Sequence, residues 1–222
     1  MKYLLISILA ILSLSACTND EAPTDLETNK YYSDYLKIYN NYDSLGNELT
    51  LKSLNTYLDA YPERSDAYIF KGYIVAKMGN LEEAFQYFRF AKSLDSLNVK
   101  TYEYQSAFML YDTSKLKETR AIITAGFAVD DSSSMLMNNL AWLNVLQGNS
   151  FEALNNVAEG ITYDSKNKNL PRTGFVAAIL ANDTTAKSLY EEKLLTMKIA
   201  DPMILEAQLR AIGPLALLKS LD

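Results

Sequence analysis

Few side chains in this sequence of 222 residues could perform chemistry. It contains no histidine, which removes the usual proton shuttle near neutral pH and the commonest nitrogen ligand of metals. The adjacent acids Glu82-Glu83 and Glu191-Glu192 would point about 100° apart on a helix, as solvated residues do and a catalytic pair does not. The run Asp130 to Ser134 could be imagined as a cation site, but it is more simply a loop with a helix N-cap. We therefore expect no catalytic residue, no cofactor and no metal site.

The single cysteine, Cys17, is the one reactive group in an unusual position. It follows Lys2 and an apolar run from Leu4 to Leu14. A membrane-spanning helix needs about 20 apolar residues, so this run indicates the core of a signal peptide. One cysteine forms no disulfide within a monomer, so in an exported chain its thiol needs another use.

The residues Leu14-Ser15-Ala16-Cys17 resemble the lipobox of bacterial lipoproteins. The resemblance implies cleavage before Cys17, a diacylglycerol on its sulfur and an acyl chain on its amine. Two or more fatty chains anchor a protein stably, whereas a single chain binds only marginally. The alternative, a buried small cysteine in a transmembrane anchor, is opposed by the length of the apolar run and the position of the cysteine.

Residues 17–29 have the composition of a flexible tether. They are polar, contain Pro23 and carry four acidic residues without any apolar period. Acidic residues after the lipidated cysteine resemble the surface-export signal of Bacteroidota lipoproteins, and an ordinary solvated linker is the alternative. The expected location is the bacterial cell envelope, lipid-anchored at the outer membrane.

The charge balance is acidic, with a formal net charge of −6 at pH 7. No basic stripe long enough to neutralise a run of phosphates is present, so we expect no nucleic-acid partner. About half of the residues, 49%, are hydrophobic, which is enough for a sizeable core.

An internal repeat of 34 to 35 residues organises the middle of the chain. Small or apolar residues and one aspartate recur in five columns: Gly72, Ser106 and Ala141; Ala84, Thr119 and Ala153; Phe88, Ile123 and Val157; Ala91, Gly126 and Gly160; and Asp95, Asp130 and Asp164. Each unit predicts two helices, and in the first unit Gly79-Asn80 separates them. Gly79 suits a left-handed C-terminal position, and Asn80 with Glu83 predicts a capping box. The third unit repeats this break at Gly148-Asn149, with Glu152 at the same offset.

These columns resemble the tetratricopeptide repeat (TPR), with Tyr68, Gly72, Ala84, Phe88 and Ala91 at its signature positions in the clearest unit. The proline that usually ends each repeat is absent from all three units. The resemblance implies an all-α fold, a right-handed superhelical array of antiparallel helix hairpins (an α-solenoid).

The flanks continue this organisation less regularly. Asp201-Pro202 predicts an N-cap followed by a first-turn proline, and the nearly apolar segment after it is broken at Gly213-Pro214. That segment fits a cap over the last hydrophobic face, with a docking helix as the alternative. We expect a signal peptide at 1–16, an acidic tether at 17–29, a degenerate hairpin at 30–64, three TPR-like repeats at 65–165, a divergent hairpin at 166–200 and a capping helix at 201–222.

The resemblance also implies a concave groove lined by the first helix of each repeat. The groove positions carry over to Ile69, Tyr73, Lys77, Glu103, Ala107, Leu110, Tyr111, Met135, Asn138, Trp142 and Val145. Tyrosine and tryptophan suit the anchoring of a peptide. Trp142 is the strongest candidate, although it could equally pack against the next hairpin. The Lys/Asn clamp that some family members use for a C-terminal carboxylate is missing.

Three functions compete at this stage. The leading hypothesis is a non-catalytic adaptor that binds another envelope protein or a peptide segment, with the bilayer contacted through acylated Cys17. The second is a structural subunit of an envelope assembly for secretion, pili or outer-membrane biogenesis. The third, an enzyme or solute-binding protein, requires a deep pocket with converging polar groups.

Overall fold

The computed structural model describes residues 25–221, with side chains from Lys30 onward, so the expected signal peptide and Cys17 lie outside the described residues. This part of the chain contains eleven α-helices and no strand, which confirms the predicted all-α solenoid. The first helix begins within the segment expected to be a tether. The helices are α1 (Asp25–Asn40), α2 (Tyr42–Ala60), α3 (Ser65–Lys77), α4 (Leu81–Leu94), α5 (Val99–Met109), α6 (Leu116–Phe127), α7 (Ser134–Leu146), α8 (Ser150–Tyr163), α9 (Asn169–Ala181), α10 (Thr184–Thr196) and α11 (Pro202–Ser220).

Consecutive helices pair as hairpins, α3 with α4, α5 with α6, α7 with α8 and α9 with α10. Each hairpin packs on the next, most extensively where α8 meets α9. The first helices also contact one another, α3 with α5, α5 with α7 and α7 with α9. This contact pattern is that of a solenoid, in which each hairpin buries an apolar face against its neighbour.

Three local features form the turns of the first three hairpins: left-handed glycines, a capping asparagine and a short 3₁₀ turn. Gly79 and Gly148 have φ of +89° and +81°, the left-handed conformation that glycine adopts without strain. Asn80 caps α4 by accepting a bond from the Glu83 backbone N–H at 3.4 Å, and its amide donates to the Glu83 carboxylate at 2.7 Å. Asn149 precedes α8 without a side-chain capping bond, so the capping pattern does not recur there. In the second unit Asp112 opens a short 3₁₀ turn by accepting from the Ser114 backbone N–H at 3.0 Å.

The two helices of a hairpin approach closely at the column of Gly72, Ser106 and Ala141, which Gly174 continues in the fourth hairpin. A Cβ added at Gly72 would lie 2.8 Å from a ring carbon of Phe88 in the partner helix. A Cβ at Gly174 would lie 2.7 Å from two ring carbons of Tyr190, the corresponding aromatic of the fourth hairpin. In both hairpins a buried ring therefore lies directly against backbone, and any larger residue would separate the helices.

The column of Ala91, Gly126 and Gly160 serves contacts between hairpins. A Cβ at Gly126 would lie 2.7 Å from Leu136 of the next hairpin, and one at Gly160 would lie 2.9 Å from Leu170. Both leucines are fully buried. The repeat thus encodes two contacts, one that closes each hairpin and one that stacks it on the following hairpin.

Helix α11 covers the last hairpin and then turns back. Asp201 caps it by accepting from the Met203 backbone N–H at 2.9 Å, with Pro202 in the first turn. Gly213, at φ +76°, breaks the helix in the middle. Buried leucines on both sides of the break, Leu205, Leu209, Leu217 and Leu218, belong to the same core cluster as α9 and α10. The break therefore lets one segment bury two short apolar faces that point in different directions.

No helix within residues 25–221 combines the length and the apolar character that crossing a membrane requires.

Replacing Gly174 by alanine should lower the free energy of unfolding by about 1–3 kcal/mol, because the new methyl group overlaps the buried Tyr190 ring. Urea denaturation monitored by circular dichroism measures this change. Combining Gly174→Ala with Tyr190→Leu should cost less than the sum of the two single changes, because the smaller side chain makes room for the methyl group. Full additivity would show that the two residues do not share this contact.

Candidate functional site

The first helices of the hairpins surround a cavity of about 410 Å³ on the concave face, here called the concave cavity. Seven of the described helices contribute to it, from α1 and α2 at one end to α11 at the other. Its lining residues are Tyr39, Tyr42, Asp43, Phe70, Tyr73, Glu103, Tyr104, Ala107, Phe108, Leu110, Met135, Asn138, Asn139, Trp142, Asn169, Arg172, Thr173, Leu218 and Leu221.

The end of the cavity near α1 to α5 has an aromatic wall, formed by Tyr39, Tyr42, Phe70, Tyr73, Tyr104 and Phe108. Tyr73 lies at its centre, with its ring centroid 5.2 Å from that of Tyr104, 6.0 Å from that of Phe108 and 6.2 Å from that of Tyr42. Rings from three hairpins are thereby in contact, and burial raises the pKa of Tyr104 to about 12. The wall is rigid and amphipathic, with hydroxyl groups on an otherwise apolar surface.

A series of side-chain hydrogen bonds in the cavity lining joins the helices α5, α7 and α9. The side-chain amide of Asn139 on α7 donates to the Glu103 carbonyl oxygen at 2.8 Å and to the Ser106 hydroxyl at 2.9 Å, both on α5. On the other side of α7 the Thr173 hydroxyl of α9 donates to the Asn138 side-chain oxygen at 2.7 Å. Buried hydrogen bonds of this kind fix the spacing and rotation of neighbouring helices.

Glu103 is the acidic group in the half-buried part of the cavity. Its carboxylate accepts a hydrogen bond from the Ser133 hydroxyl at 2.6 Å and makes no ion pair within the described residues. Burial raises the pKa of the carboxyl above its ordinary value, although the bond from Ser133 acts in the opposite direction. Keeping this carboxylate ionised in the folded protein therefore costs free energy.

Arg172 is the only cation among the described residues that line the cavity. It is half-buried on α9, and its Nε atom is fully buried without a hydrogen-bond partner. Burial lowers the pKa of the guanidinium, and no acid among the described side chains, residues 30–221, forms an ion pair with it.

Seven of the eleven groove positions expected from the sequence line this cavity: Tyr73, Glu103, Ala107, Leu110, Met135, Asn138 and Trp142. The other four, Ile69, Lys77, Tyr111 and Val145, lie outside its lining. Ile69 is only 2% exposed and packs in the core with Phe88, because its position on α3 faces α4. Tyr111 is half-buried beside Phe108, with its hydroxyl buried and unpaired. Val145 is buried in the largest core cluster, and Lys77 is at the last turn of α3.

Trp142 reaches the cavity with little of its surface. It is 3% exposed and belongs to the core cluster that also contains Phe175 of the next hairpin. The packing alternative considered for this residue thus accounts for most of its contacts, and only a small part of the ring faces the cavity.

Sequence reasoning did not identify Arg172, Leu218 or the residues of α1 as cavity residues. For Arg172 there was no signal, because extending the groove positions into the fourth hairpin through Gly174 leads to Pro171 and Phe175, which are both buried. For Leu218 and Leu221 there was none, because a break at Gly213 does not indicate the direction in which the following residues turn.

The other candidate features lie elsewhere. Cys17 lies outside the described residues. Asp130 accepts bonds from the backbone N–H and the hydroxyl of Ser132 at 3.0 and 2.8 Å, and Ser133 caps α7 by accepting from the Leu136 N–H at 3.1 Å. No group of three or more possible metal ligands occurs among the described side chains, those of residues 30–221.

Comparison with known proteins identifies the fold. A thermophilic TPR protein of Thermus thermophilus superposes with a TM-score of 0.69 at 12% identity, over 82% of this chain and 97% of that one. PilW, described as a widely conserved type IV pilus biogenesis factor, gives 0.69 at 13% identity, over 86% and 90%. PilF of Pseudomonas aeruginosa gives 0.66 at 12% identity, over 87% and 89%. No family model and no curated protein matches the sequence. The chain has a TPR-like fold.

Glu103→Gln should stabilise the protein at pH 7, because it removes a carboxylate that burial disfavours while keeping an oxygen that accepts from Ser133. A raised pKa means that the folded state binds the proton more tightly than the unfolded state, so wild-type stability falls as pH rises above the usual glutamate range. The stability of the variant should not fall in this way as pH rises, and it should equal that of the wild type near pH 4. Melting curves across pH measure the effect, and Glu82→Gln, on the exposed face of α4, is the control. Equal pH profiles for wild type and Glu103→Gln would contradict it.

Proposed function

We propose that this protein is a non-catalytic adaptor of the bacterial cell envelope, anchored to the outer membrane by lipid on Cys17, which binds a protein or peptide partner through its concave face. The observation that carries the proposal is the aromatic wall. Six aromatic side chains on one concave surface offer contact area of the kind that dominates binding energy at interfaces.

The support of this wall favours recognition by a prebuilt surface. Tyr73 and Tyr104 lie on different hairpins, and the bonds of Asn139 hold the second and third hairpins in register. A surface ordered before binding loses little conformational entropy when the partner docks. The adaptor therefore has no folding step to complete when a partner docks, and a partner segment that binds weakly can still be held.

The second candidate function is a structural subunit of an envelope assembly. PilW, with the same fold, is described as a type IV pilus biogenesis factor. The outer face of α11 favours this candidate, because Met203, Ile204 and Ile212 are 80%, 59% and 49% exposed. Exposed apolar residues grouped on one helix are typical of surfaces that become covered by another subunit.

The membrane anchor rests on the sequence around Cys17. The lipobox-like residues lie at the end of an apolar run of signal-peptide length, followed by acidic residues before α1. We place the signal peptide at 1–16 and the tether between Cys17 and the start of α1. Such a tether would present the hairpin array a short distance from the lipid surface.

Cys17→Ser should abolish lipid attachment, because the thioether to diacylglycerol needs the sulfur. Incorporation of an alkyne fatty acid into the full chain, followed by mass spectrometry, measures the modification, and fractionation measures release from the membrane. Ser13→Ala, upstream of the lipobox-like residues, should remain labelled. Native protein whose Cys17 carries no lipid would refute the anchor.

Tyr73→Ala combined with Tyr104→Ala should reduce partner binding by about tenfold or more, because two adjacent anchors of the aromatic wall are removed. Photo-crosslinking and affinity capture from the envelope fraction, with quantification of each captured protein, measure the loss. Tyr163→Ala, on the exposed surface of α8, is the matched control. Melting temperatures establish that both variants are folded. Unchanged recovery of every protein by the double variant would remove the aromatic wall from the interface.

A further inference from the structure

Arg172 carries an uncompensated charge in the concave cavity. Arginine keeps its charge in proteins, so its burial without an acid is normally offset by a ligand or a hydrogen-bonded partner. Among the side chains that the structure describes, those of residues 30–221, none forms an ion pair or a hydrogen bond with Arg172, and its Nε atom is completely shielded from solvent. An anionic ligand would offset the cost of burying this group.

Arg172 lines the cavity together with polar side chains of its own helix, Asn169 and Thr173, and with apolar side chains from other helices. The apolar ones are Trp142 of α7, Leu218 in the part of α11 that follows the break at Gly213, and Leu221 just after that helix. A guanidinium binds a carboxylate with two parallel hydrogen bonds, which are stronger where water is partly excluded. The apolar side chains provide contact for a hydrocarbon group next to that carboxylate.

The cavity has the size of a small-molecule site. Its volume of about 410 Å³ lies in the range of ligand pockets. Its lining runs from Tyr39 and Tyr42, at the junction of α1 and α2, to Leu218 and Leu221 at the C-terminal end of the array. A compact molecule fits within this volume, whereas an extended peptide would have to continue beyond it.

The charges also limit the kind of anion. Glu103 lies on α5, one helix beyond α7 from Arg172, and has no cationic partner in an ion pair within the described residues. Asp43 adds a second carboxylate at the far end. A second negative charge on a ligand would face these acids, so the cavity disfavours dianions and favours a single carboxylate attached to an uncharged body.

We propose that the concave cavity binds a small amphipathic monocarboxylate, with its carboxylate on the guanidinium of Arg172 and its apolar or aromatic body against Trp142, Leu218 and Leu221. This goes beyond the adaptor function, since it requires no protein partner and its test uses none. A ligand in this position would occupy part of the concave face.

Three compounds of the same shape test the charge preference: 3-phenylpropionate, 3-phenylpropanamide and 3-phenylpropylamine. The single tryptophan of the chain, Trp142, lines the cavity and reports binding by fluorescence, and calorimetry of the full chain provides affinities. We expect the acid to bind about tenfold or more tightly than the amide, and the amine to bind more weakly than the acid. Binding of the amide or amine as tight as that of the acid, or no binding of the acid, would overturn the proposal.

Variants locate the carboxylate. Arg172→Gln should weaken the acid by about tenfold or more and leave the amide unchanged, and Arg172→Lys should retain part of the preference. Arg89→Gln, an exposed arginine of α4 outside the cavity, should change neither affinity. Glu103→Gln should tighten the acid, because it removes a like charge. Unchanged acid affinity in folded Arg172→Gln, or weaker acid binding in Glu103→Gln, would contradict the assignment.

A peptide provides the alternative occupant. Acetyl-Gly-Gly-Phe with a free carboxyl terminus carries the same acid on a longer chain. We expect it to bind more weakly than 3-phenylpropionate, because the extra residues exceed the volume of the cavity and would have to continue beyond its lining. Tighter binding that also depends on Arg172 would overturn the small-molecule proposal in favour of a peptide carboxyl terminus.

Discussion

The structure depends on contact between an aromatic ring and a glycine backbone inside the hairpins. Phe88 on Gly72 and Tyr190 on Gly174 lie closer than any side chain would allow. These contacts set the separation of paired helices, which in turn fixes where the following hairpin packs. Because stability in a solenoid comes from each unit and its nearest neighbours, an error in one separation is passed to the next interface.

The concave face is a consequence of this stacking rather than an independent feature. The apolar columns bring α3, α5, α7 and α9 side by side, and polar residues then tie them together. Asn139 bonds to α5, and Thr173 bonds from α9 to Asn138 on α7. These amides are satisfied by neighbours from other repeats, so part of the polar surface of the groove holds helices rather than a ligand. Arg172 differs from them, since no ion pair or hydrogen bond to it occurs among the described side chains.

How much the sequence reveals differs between the array and its ends. Repeated columns predicted the fold and pointed to the faces on which Tyr73, Glu103 and Asn138 lie, since each repeat places equivalent residues on equivalent faces. Ile69 shares a face of α3 with Tyr73, but one turn earlier on the helix its side chain packs with Phe88 in the core and does not line the cavity. The return of α11 over the cavity was not predictable, because it has no equivalent in the repeat and depends on the surface against which Leu217 is buried. Local rules specify a unit, but the packing of a terminal segment depends on the completed array.

The division of the interior into three clusters has a mechanical consequence. The largest cluster begins at Leu110, just after α5, and extends to α11, whereas the α1–α2 pair is held by a smaller one in which tyrosine rings such as Tyr57 and Tyr61, 4.9 Å apart, pack beside Leu54 and Leu58. A force applied from the N-terminal side enters through α1, where none of the described side chains is buried. The α1–α2 pair would then separate before the rest of the array, and Tyr39 and Tyr42 would leave with it, so tension on the N-terminal side would open that end of the concave cavity.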